Sequence, residues 1–376
     1  MEQHFECLPP GEALEKLLEM HDTDPVFLSV THPINSDGRF FRKRSHAILD
    51  ALDGCRARKV MEENVSLAER YMEKHGGEAY YLFVSVPHDL FLAVTAPPEI
   101  KEPRMVADTS PYIRDLAEAV DDWEPYLLVF VEEGDSVVEI VDMGRWVSEE
   151  KVVDEIMNRH RKGGMSQRRF QRLREEAVHR HLVSVAEAVK EAVADSGAKR
   201  LIIAGPGESK KEFLKVLPAD LKNRVVGVVD TDALHHGFER DRGDEQVLDI
   251  FLKSEFAEEN RVVQKLARAI MEGGGVYGGK DVARAVVEGR VSLLVVLHGT
   301  TMVGWRCENC GMIGAGTGIG PGEQTGVCPV CGSAVVRVDL VEECVEEALK
   351  MGGGVEFVHD SPYLEKLGGM AGFLRY

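Results

Sequence analysis

The sequence lacks any run of about 18 apolar residues, the length that a membrane-spanning helix requires. Its start, MEQHFECLPPGEALEKL, also lacks the basic and apolar regions of a secretory signal. We therefore expect a cytoplasmic protein that does not engage a membrane. Positive charge is scarce as well, since 45 Lys and Arg residues stand against 64 Asp and Glu residues and the net charge is −19. This balance excludes a generally basic nucleic-acid coat protein but allows a basic patch on an acidic body.

Several common catalytic motifs are missing too. The sequence has no GxSxG, no HExxH and no GxGxxG followed by an acidic residue, and the turn at Gly205–Lys211 lacks the spacing of a Walker phosphate loop. A structural strand-to-helix turn is the favoured interpretation of that segment. Asn and Gln together number only 12, a depletion that is typical of thermophiles.

The pattern of apolar residues indicates an α/β protein. The strand predicted at Arg200–Ala204, the helix at Lys210–Leu217 and the strand at Val225–Val229 form a β-α-β unit, which favours parallel pairing with a right-handed crossover. A long helix is predicted over about Gln167–Ser196. At 376 residues, the chain should contain two or three domains. We predict three, at 1–123, 124–268 and 269–376, with an excursion at 301–339 inside the last one.

Four of the seven cysteines fall into two CxxC pairs, each followed by a glycine. The first pair is Cys307 and Cys310, and the second, after 17 intervening residues, is Cys328 and Cys331. Each pair brings two thiolates towards one ion, so the two pairs predict a zinc-ribbon excursion with a tetrahedral, structural zinc site. Four thiolates leave no open position, which argues against a catalytic role. Reduced thiols without a metal and a rubredoxin-like iron site are the alternatives.

A strongly basic segment interrupts the acidic chain. Between Arg159 and Arg180 there are eight Lys or Arg residues and two Asp or Glu residues. Inside this segment, Gly163 and Gly164 permit positive φ and a close approach of the backbone to a ligand. Concentrated positive charge beside two glycines points to contact with phosphate. The alternative is a surface loop that merely precedes the long helix.

The residues after this glycine pair carry a family resemblance. The segment 163–175 resembles the GGQ segment of the archaeal and eukaryotic class-I peptide-release factor family, which includes Pelota. Further segments are similar to that family in the same order along the chain. They are 201–213, which resembles its central-domain strand, 277–291, which resembles the start of its last domain, and 368–376, which resembles its C-terminal signature. Together the similar segments span roughly residues 124–376, and some archaeal members of the family carry a cysteine minidomain in the last domain.

Two departures from the family pattern bear on function. Met165 stands at the position of the family's catalytic glutamine, and a glutamine follows two places later as Gln167. This Gly-Gly-Met-Ser-Gln form resembles the divergent bacterial and archaeal branch that includes the ribosome-hibernation factor Balon. The family's stop-codon-reading motif, Asn-Ile-Lys-Ser, is missing, and the nearest segment, at 33–38, lacks its lysine. Ordinary stop-codon decoding is therefore not expected.

The resemblance implies a three-domain, release-factor-like architecture whose Gly-Gly loop enters the peptidyl-transferase centre of the ribosome. Gly163, Gly164 and Gln167 would then act on the ester of peptidyl-tRNA, with Gln167 positioning water because an amide has no useful pKa for a general base. The implied partners are rRNA, peptidyl-tRNA and a translational GTPase of elongation-factor type, and the chain is expected to be a monomer. The implied contacts to rRNA phosphates are Arg159, Arg161, Lys162, Arg168, Arg169 and Arg172.

Three functions stay open at this point. The one that we place first is a ribosomal A-site factor that promotes peptidyl-tRNA hydrolysis in peptide release or ribosome rescue. The second is a hibernation or recycling factor of Pelota or Balon type, which occupies the A site without hydrolysis. The third is a metal-stabilised RNA-binding protein unrelated to translation, and salt-sensitive binding to free structured RNA would point to it.

Overall fold

Four β-sheets organise the part of the chain that the computed structural model describes. The backbone is described for residues 8–36, 38–52, 55–100, 102–156, 165–230, 240–316 and 326–376, and the side chains for the same residues except 55, 165–167 and 240–244. The chain divides into a first unit, Met1–Asp122 with Glu258–Tyr376, and a second unit, Trp123–Ala257. The division into three domains at 123 and 268 stays a prediction. Among the described residues, no helix is long and apolar enough to cross a membrane.

The N-terminal part of the first unit is an antiparallel sheet covered by helices. Its elements, in chain order, are α1 (Pro10–Leu18), β1 (Phe27–His32), α2 (Gly38–Ala51), α3 (Cys55–Lys74), β2 (Tyr80–Ser85), a short 3₁₀ helix (Val86–His88), β3 (Leu90–Thr95), β4 (Arg104–Asp108) and α4 (Arg114–Asp122). The strand order is β3-β2-β1-β4. All residues of β2 are buried, which explains why this strand is almost entirely apolar in sequence. Helices α2 and α3 cover it through Phe41, Met61 and Val65.

The second unit is built on a mixed five-stranded sheet. Its elements are β5 (Tyr126–Val131), β6 (Asp135–Asp142), β7 (Arg145–Val153), α5 (Met165–Ser196), β8 (Arg200–Gly205), α6 (Ser209–Val216), α7 (Ala219–Lys222), β9 (Val225–Asp230) and the beginning of α8 (Arg240–Glu272). The strand order is β7-β6-β5-β8-β9, with antiparallel pairing up to β5 and parallel pairing from β5 to β9. The predicted β-α-β unit is therefore confirmed as β8-α6-β9.

The C-terminal part of the first unit holds two four-stranded sheets. After α8 come β10 (Gly275–Tyr277), α9 (Gly279–Val287), β11 (Val291–Leu297), β12 (Val303–Cys307), β13 (Ile313–Ala315), β14 (Gly326–Val327), β15 (Ala334–Asp339), α10 (Leu340–Lys350), β16 (Gly354–Val358), α11 (Pro362–Lys366) and β17 (Met370–Leu374). One sheet has the order β10-β17-β11-β16, and β11 and β16 are parallel. The other, β13-β12-β15-β14, is antiparallel and lies in the predicted excursion. The mixed α/β class is confirmed, while a zinc ion in the excursion stays a proposal.

Helix α10 presents carboxylates to the N-terminal part of the first unit. The amide of Ile113 donates to Glu342 Oε1 at 3.2 Å. On β12, Arg306 donates to Glu343 Oε1 at 2.7 Å and to Asp108 Oδ1 at 3.1 Å. These groups are buried or half-buried, so they need their partners. The contacts join the two stretches of chain that make up the first unit.

The buried carboxyl of Glu342 should make the stability of the fold depend on pH. Burial raises the pKa of Glu342 well above its usual value, and the nearby charge of Glu346 raises it further. The folded state thus holds this proton more tightly than the unfolded state. The resulting stabilisation is complete below about pH 4, the unfolded-state pKa of a glutamate, and is lost as the pH rises towards the folded-state pKa. Stability should therefore fall across the neutral range.

We expect the variant Glu342→Gln to remove much of this fall. The amide keeps an acceptor for the Ile113 amide but cannot ionise, so the variant should be more stable than the wild type by about 1–3 kcal/mol at pH 8 and comparable to it at pH 4. Urea unfolding at pH 4, 6 and 8 measures the difference. The control is Glu73→Gln, at an exposed position on α3. Equal pH slopes in wild type and Glu342→Gln would contradict the expectation.

Candidate functional site

Helix α5 extends beyond the packed core of the second unit at its N-terminal end. Its later turns pack against the sheet through Leu182, Val185 and Val189. By contrast, residues 168–173 are all exposed, including Phe170 at 48% and Leu173 at 44%. At a rise of 1.5 Å per residue, these six residues make about 9 Å of exposed helix. This stretch, with both charged and apolar side chains in solvent, is available to a partner.

Three of the predicted RNA contacts lie on this stretch. Because an α-helix turns by about 100° per residue, Arg168, Arg169 and Arg172 fall within an arc of about 100° and share one side of the helix. All three are exposed, and we call this set the arginine face. The other predicted residues, Gly163, Gly164, Arg159, Arg161 and Lys162, lie outside the described residues, and Gln167 is described only as part of the α5 backbone. The long helix predicted from about Gln167 to Ser196 is confirmed.

A buried chain of hydrogen bonds holds α5 to the β6–β7 hairpin. The ring of His181 lies 2.9 Å from Ser136 Oγ through Nε2 and 2.8 Å from Asp154 Oδ2 through Nδ1. The order serine, histidine, aspartate is that of a hydrolase triad. Ser136 and His181 are both 0% exposed, however, so no substrate can reach the hydroxyl. These hydrogen bonds hold in place the helix that carries the arginine face.

The turn after β8 uses its lysine internally. Lys210 is buried and donates to Val229 O at 3.0 Å and to Gly205 O. Gly205 has a φ of +140°, and a β-carbon there would lie 2.3 Å from Val131 O, so only glycine fits. The ammonium and the backbone are thus committed to holding the turn. The interpretation of this segment as a structural strand-to-helix turn is confirmed.

The four cysteines of the excursion lie on two turns of matching geometry. In the first turn Gly311 N donates to Cys307 O at 2.9 Å, and in the second Gly332 N donates to Cys328 O at 3.0 Å. The two glycines have φ values of +71° and +76°, a conformation that a side chain disfavours. The positive φ explains why a glycine follows each CxxC pair. Each turn directs its two sulfur atoms to the same side.

The sulfur positions fit a metal ion. Cys307 Sγ lies 3.5 Å from Cys331 Sγ, and Cys310 Sγ lies 3.6 Å from Cys328 Sγ. All four sulfur atoms lie within 4.8 Å of one another. Zinc–sulfur bonds of about 2.3 Å place the corners of a tetrahedron about 3.8 Å apart, close to these distances. The four predicted ligands are thus brought together, and they are able to hold one metal ion.

The hydrogen bonds around the sulfur atoms favour thiolate. The Ser333 side chain, followed by the Asn309 side chain and the Ser333 amide, lowers the pKa of Cys331 to about 5. The pKa of Cys310 is raised to about 12: the Met312 amide lowers it, but desolvation and the hydrogen bonds among the sulfur atoms outweigh that contribution. A dication bound at the cluster would displace the thiol protons that remain.

Two sequence models of known families match this chain. The one described as bacterial archaeo-eukaryotic release factor family 10 matches residues 111–248, which include the basic segment and the arginine face. The one described as eRF1 domain 3 matches residues 256–376, which include the four-cysteine cluster. Both matches agree with the resemblance carried by the Gly-Gly segment and by the C-terminal residues.

Curated relatives and a solved structure are similar to this chain. Peptide chain release factor subunit 1 of Thermococcus kodakarensis is 28% identical over 313 residues, which cover 77% of this chain and 75% of the relative. The same subunit from Methanopyrus kandleri is 30% identical over 210 residues, or 54% of this chain and 51% of the relative. A ribosome-bound archaeal Pelota structure is 16% identical over 97% of this chain and 94% of that chain, with a TM-score of 0.42.

Proposed function

We infer the function of this chain from the superfamily to which it belongs, that of the archaeal and eukaryotic class-I release factors and Pelota, with its bacterial and archaeal branch. The chain is accordingly a ribosome-associated translation factor. We propose that it occupies the ribosomal A site and promotes hydrolysis of the ester that joins the peptide to tRNA. The observation that carries the proposal is the exposed arginine face, which is separated by three residues from the pair Gly163 and Gly164 in a chain of net charge −19.

The proposed reaction divides the work between protein and RNA. The arginine face and the basic residues before it neutralise rRNA phosphates, while the acidic remainder of the chain avoids indiscriminate binding to RNA. Helix α5, held to the β6–β7 hairpin through His181, presents the arginine face. Gln167 positions the attacking water, and such placement lowers a barrier by about 7–11 kcal/mol at most. Backbone amides at residues 163–166 stabilise the developing oxyanion.

We also propose that the reaction does not depend on a stop codon. The connection between β1 and α2 is a tight turn in which Ser36 N donates to Pro33 O at 3.3 Å and Asn35 has a φ of +54°. This compact turn stands where the family's stop-codon-reading segment would be expected, and its sequence lacks the lysine. A translational GTPase of elongation-factor type as partner, and a monomeric state, belong to the same proposal.

Met165 favours a second candidate function. With methionine in place of the family's catalytic glutamine, the chain would occupy the A site of a vacant or stalled ribosome without hydrolysis. In that case Gln167 is a contact to RNA only. The arginine face serves both functions equally, so only a measurement of hydrolysis separates them.

Cosedimentation with archaeal ribosomes tests the part that both candidates share. The chain should move with ribosomes whose A site is empty and remain at the top of the gradient when tRNA fills that site. A fluorescent label at an exposed position of α3 would report the bound fraction. Binding that ignores A-site tRNA, or binding to free structured RNA in preference to ribosomes, would contradict A-site occupancy.

The salt dependence of binding tests the arginine face. Replacing Arg168, Arg169 and Arg172 together by alanine should reduce the slope of log affinity against log salt by roughly three, about one for each lost phosphate contact. The matched control is the triple alanine variant of Lys211, Lys215 and Lys222. These lysines are exposed in the same unit, and their replacement removes the same amount of positive charge. Titrations at several salt concentrations measure the slopes. Equal slopes in the two triple variants would show that the arginine face does not contact phosphate.

A further inference from the structure

Two histidines emerge side by side at one edge of the C-terminal sheet. The parallel strands β11 and β16 end in register, with Leu297 opposite Val358. His298 and His359 are the next residues, and His298 N donates to Val358 O at 2.8 Å. Their rings stack with centroids 4.9 Å apart at an interplanar angle of 15°. Parallel strands thus deliver two imidazoles to the same place, although the residues are far apart in the sequence.

The end of helix α4 adds a carboxylate to this pair. Phe357 N donates to Asp121 Oδ2 at 2.6 Å, which fixes the helix end against β16. The next residue, Asp122, places Oδ2 3.6 Å from His359 Nε2 and 3.9 Å from His298 Nε2. One ligand atom from each of Asp122, His298 and His359 lies within 4.8 Å of the others. Zinc bonds of about 2.0–2.1 Å place tetrahedral ligands about 3.3 Å apart, so each of the two distances from Asp122 to a histidine has to shorten by less than about 1 Å.

A buried glutamate orients one of the histidines. Glu259 on α8 is only 3% exposed, and its Oε1 lies 2.9 Å from His359 Nδ1 while its Oε2 accepts a hydrogen bond from His359 N at 3.0 Å. A carboxylate on Nδ1 holds the proton there and leaves the lone pair of Nε2 pointing to Asp122. This is the arrangement in which proteins present histidine to a metal. Glu118 Oε2 lies 3.5 Å from His298 Nε2 and is within reach as a fourth ligand.

We propose that Asp122, His298 and His359 form a second metal site in this chain, for a divalent transition ion that accepts nitrogen and oxygen ligands, of which Zn²⁺ is the type. Imidazole and carboxylate are ligands that such ions share. Three carboxylates surround the two imidazoles, so the negative charge favours a dication at their centre. The ion links the end of α4 to the ends of strands β11 and β16, and it therefore connects the two stretches of chain that make up the first unit. This inference does not depend on the ribosomal function.

Titration of the whole chain with Co²⁺, after removal of bound metal under reducing conditions, tests the proposal. Thiolate-bound Co²⁺ shows intense sulfur-to-metal charge-transfer absorption, whereas Co²⁺ bound by nitrogen and oxygen does not. The wild type should bind one equivalent with this absorption and a second without it. His298→Gln and His359→Gln should each lose the second equivalent and keep the first. A wild type that binds no equivalent outside the thiolate site would overturn the proposal and leave a hydrogen-bonded cluster of imidazoles and carboxylates.

Two further variants show whether the histidine variants lose the second metal ion for a reason other than misfolding. Retention of the thiolate signal shows that residues 303–339 are still folded in the histidine variants. His46→Gln, at an exposed histidine on α2 whose Nδ1 lies 2.6 Å from Arg42 O, should keep both equivalents. Glu259→Gln should weaken the second site by about 10–100-fold without affecting the first, because Glu259 positions His359 and does not itself bind the metal. The proposal would be overturned if Glu259→Gln bound the second metal ion with unchanged affinity. It would also be overturned if both histidine variants still bound the second equivalent in full.

Discussion

Replacing Gln167 by alanine should lower the rate of peptide release by about 10²–10³-fold, the usual cost of losing one group that stabilises or orients the reacting centre. Binding to the ribosome should change little, because the arginine face and the basic residues before it remain. Single-turnover release of labelled peptide from ribosome-bound peptidyl-tRNA, with the protein in excess, separates the chemical step from binding.

A neighbouring glutamine supplies the control for this variant. Gln171 lies one helical turn further along α5, where its side chain donates to Glu175 Oε1 at 3.0 Å. Gln171→Ala removes the same functional group from the same helix and should leave release within about twofold of wild type. Equal rates in the two variants would show that Gln167 has no special role. Slow release by the wild type itself, with tight binding, would favour occupancy without hydrolysis.

Replacing Cys328 by serine should abolish metal binding by the four-cysteine cluster and unfold the sheet that carries it. The sheet has few buried apolar residues of its own, chiefly Trp305 with Met312 and Val335 beside it. Structural zinc binds zinc-finger peptides with apparent free energies of about 10–16 kcal/mol, far more than so small a core supplies. Metal content and protection from hydrogen exchange over residues 303–339 should both collapse in the variant.

A fifth cysteine serves as the control for this second prediction. Cys344 is buried on α10 and does not belong to the cluster, so Cys344→Ala should keep the metal and the exchange protection of residues 303–339. Native protection in a metal-free wild type would contradict a structural ion and support reduced thiols. Visible colour in the purified protein, with iron in place of zinc, would support the rubredoxin-like alternative.

The sequence predicts the parts of this protein that depend on local patterns. The two CxxC pairs predict a four-sulfur cluster, and the sulfur atoms do lie within 4.8 Å of one another. The strands at Arg200 and Val225 and the helix between them were sufficient to predict parallel pairing, which β8 and β9 confirm. The long helix after the Gly-Gly pair is equally local, because its apolar residues repeat with helical spacing.

Other elements escape sequence reasoning for physical reasons. Strand β4 has little apolar pattern in the sequence, because only Met105 is buried within it and Pro103 precedes it. Strand β7 is mostly exposed, so it shows no apolar alternation to detect. Asp122, His298 and His359 meet only because β11 pairs with β16 and α4 ends beside them. No spacing in the sequence predicts that these three residues lie together. A histidine directly after each of two apolar strands is the one sequence feature that points to a shared site.

The most direct test of the central claim is peptide release by the wild-type chain from ribosomes that carry labelled peptidyl-tRNA and an empty A site. The same complexes are prepared with a stop codon, with a sense codon and without a codon in that site. The account predicts that peptide is released in all three complexes at similar rates, and that A-site tRNA abolishes release. Release only at a stop codon, or no release from any complex despite bound protein, would contradict a codon-independent hydrolytic factor.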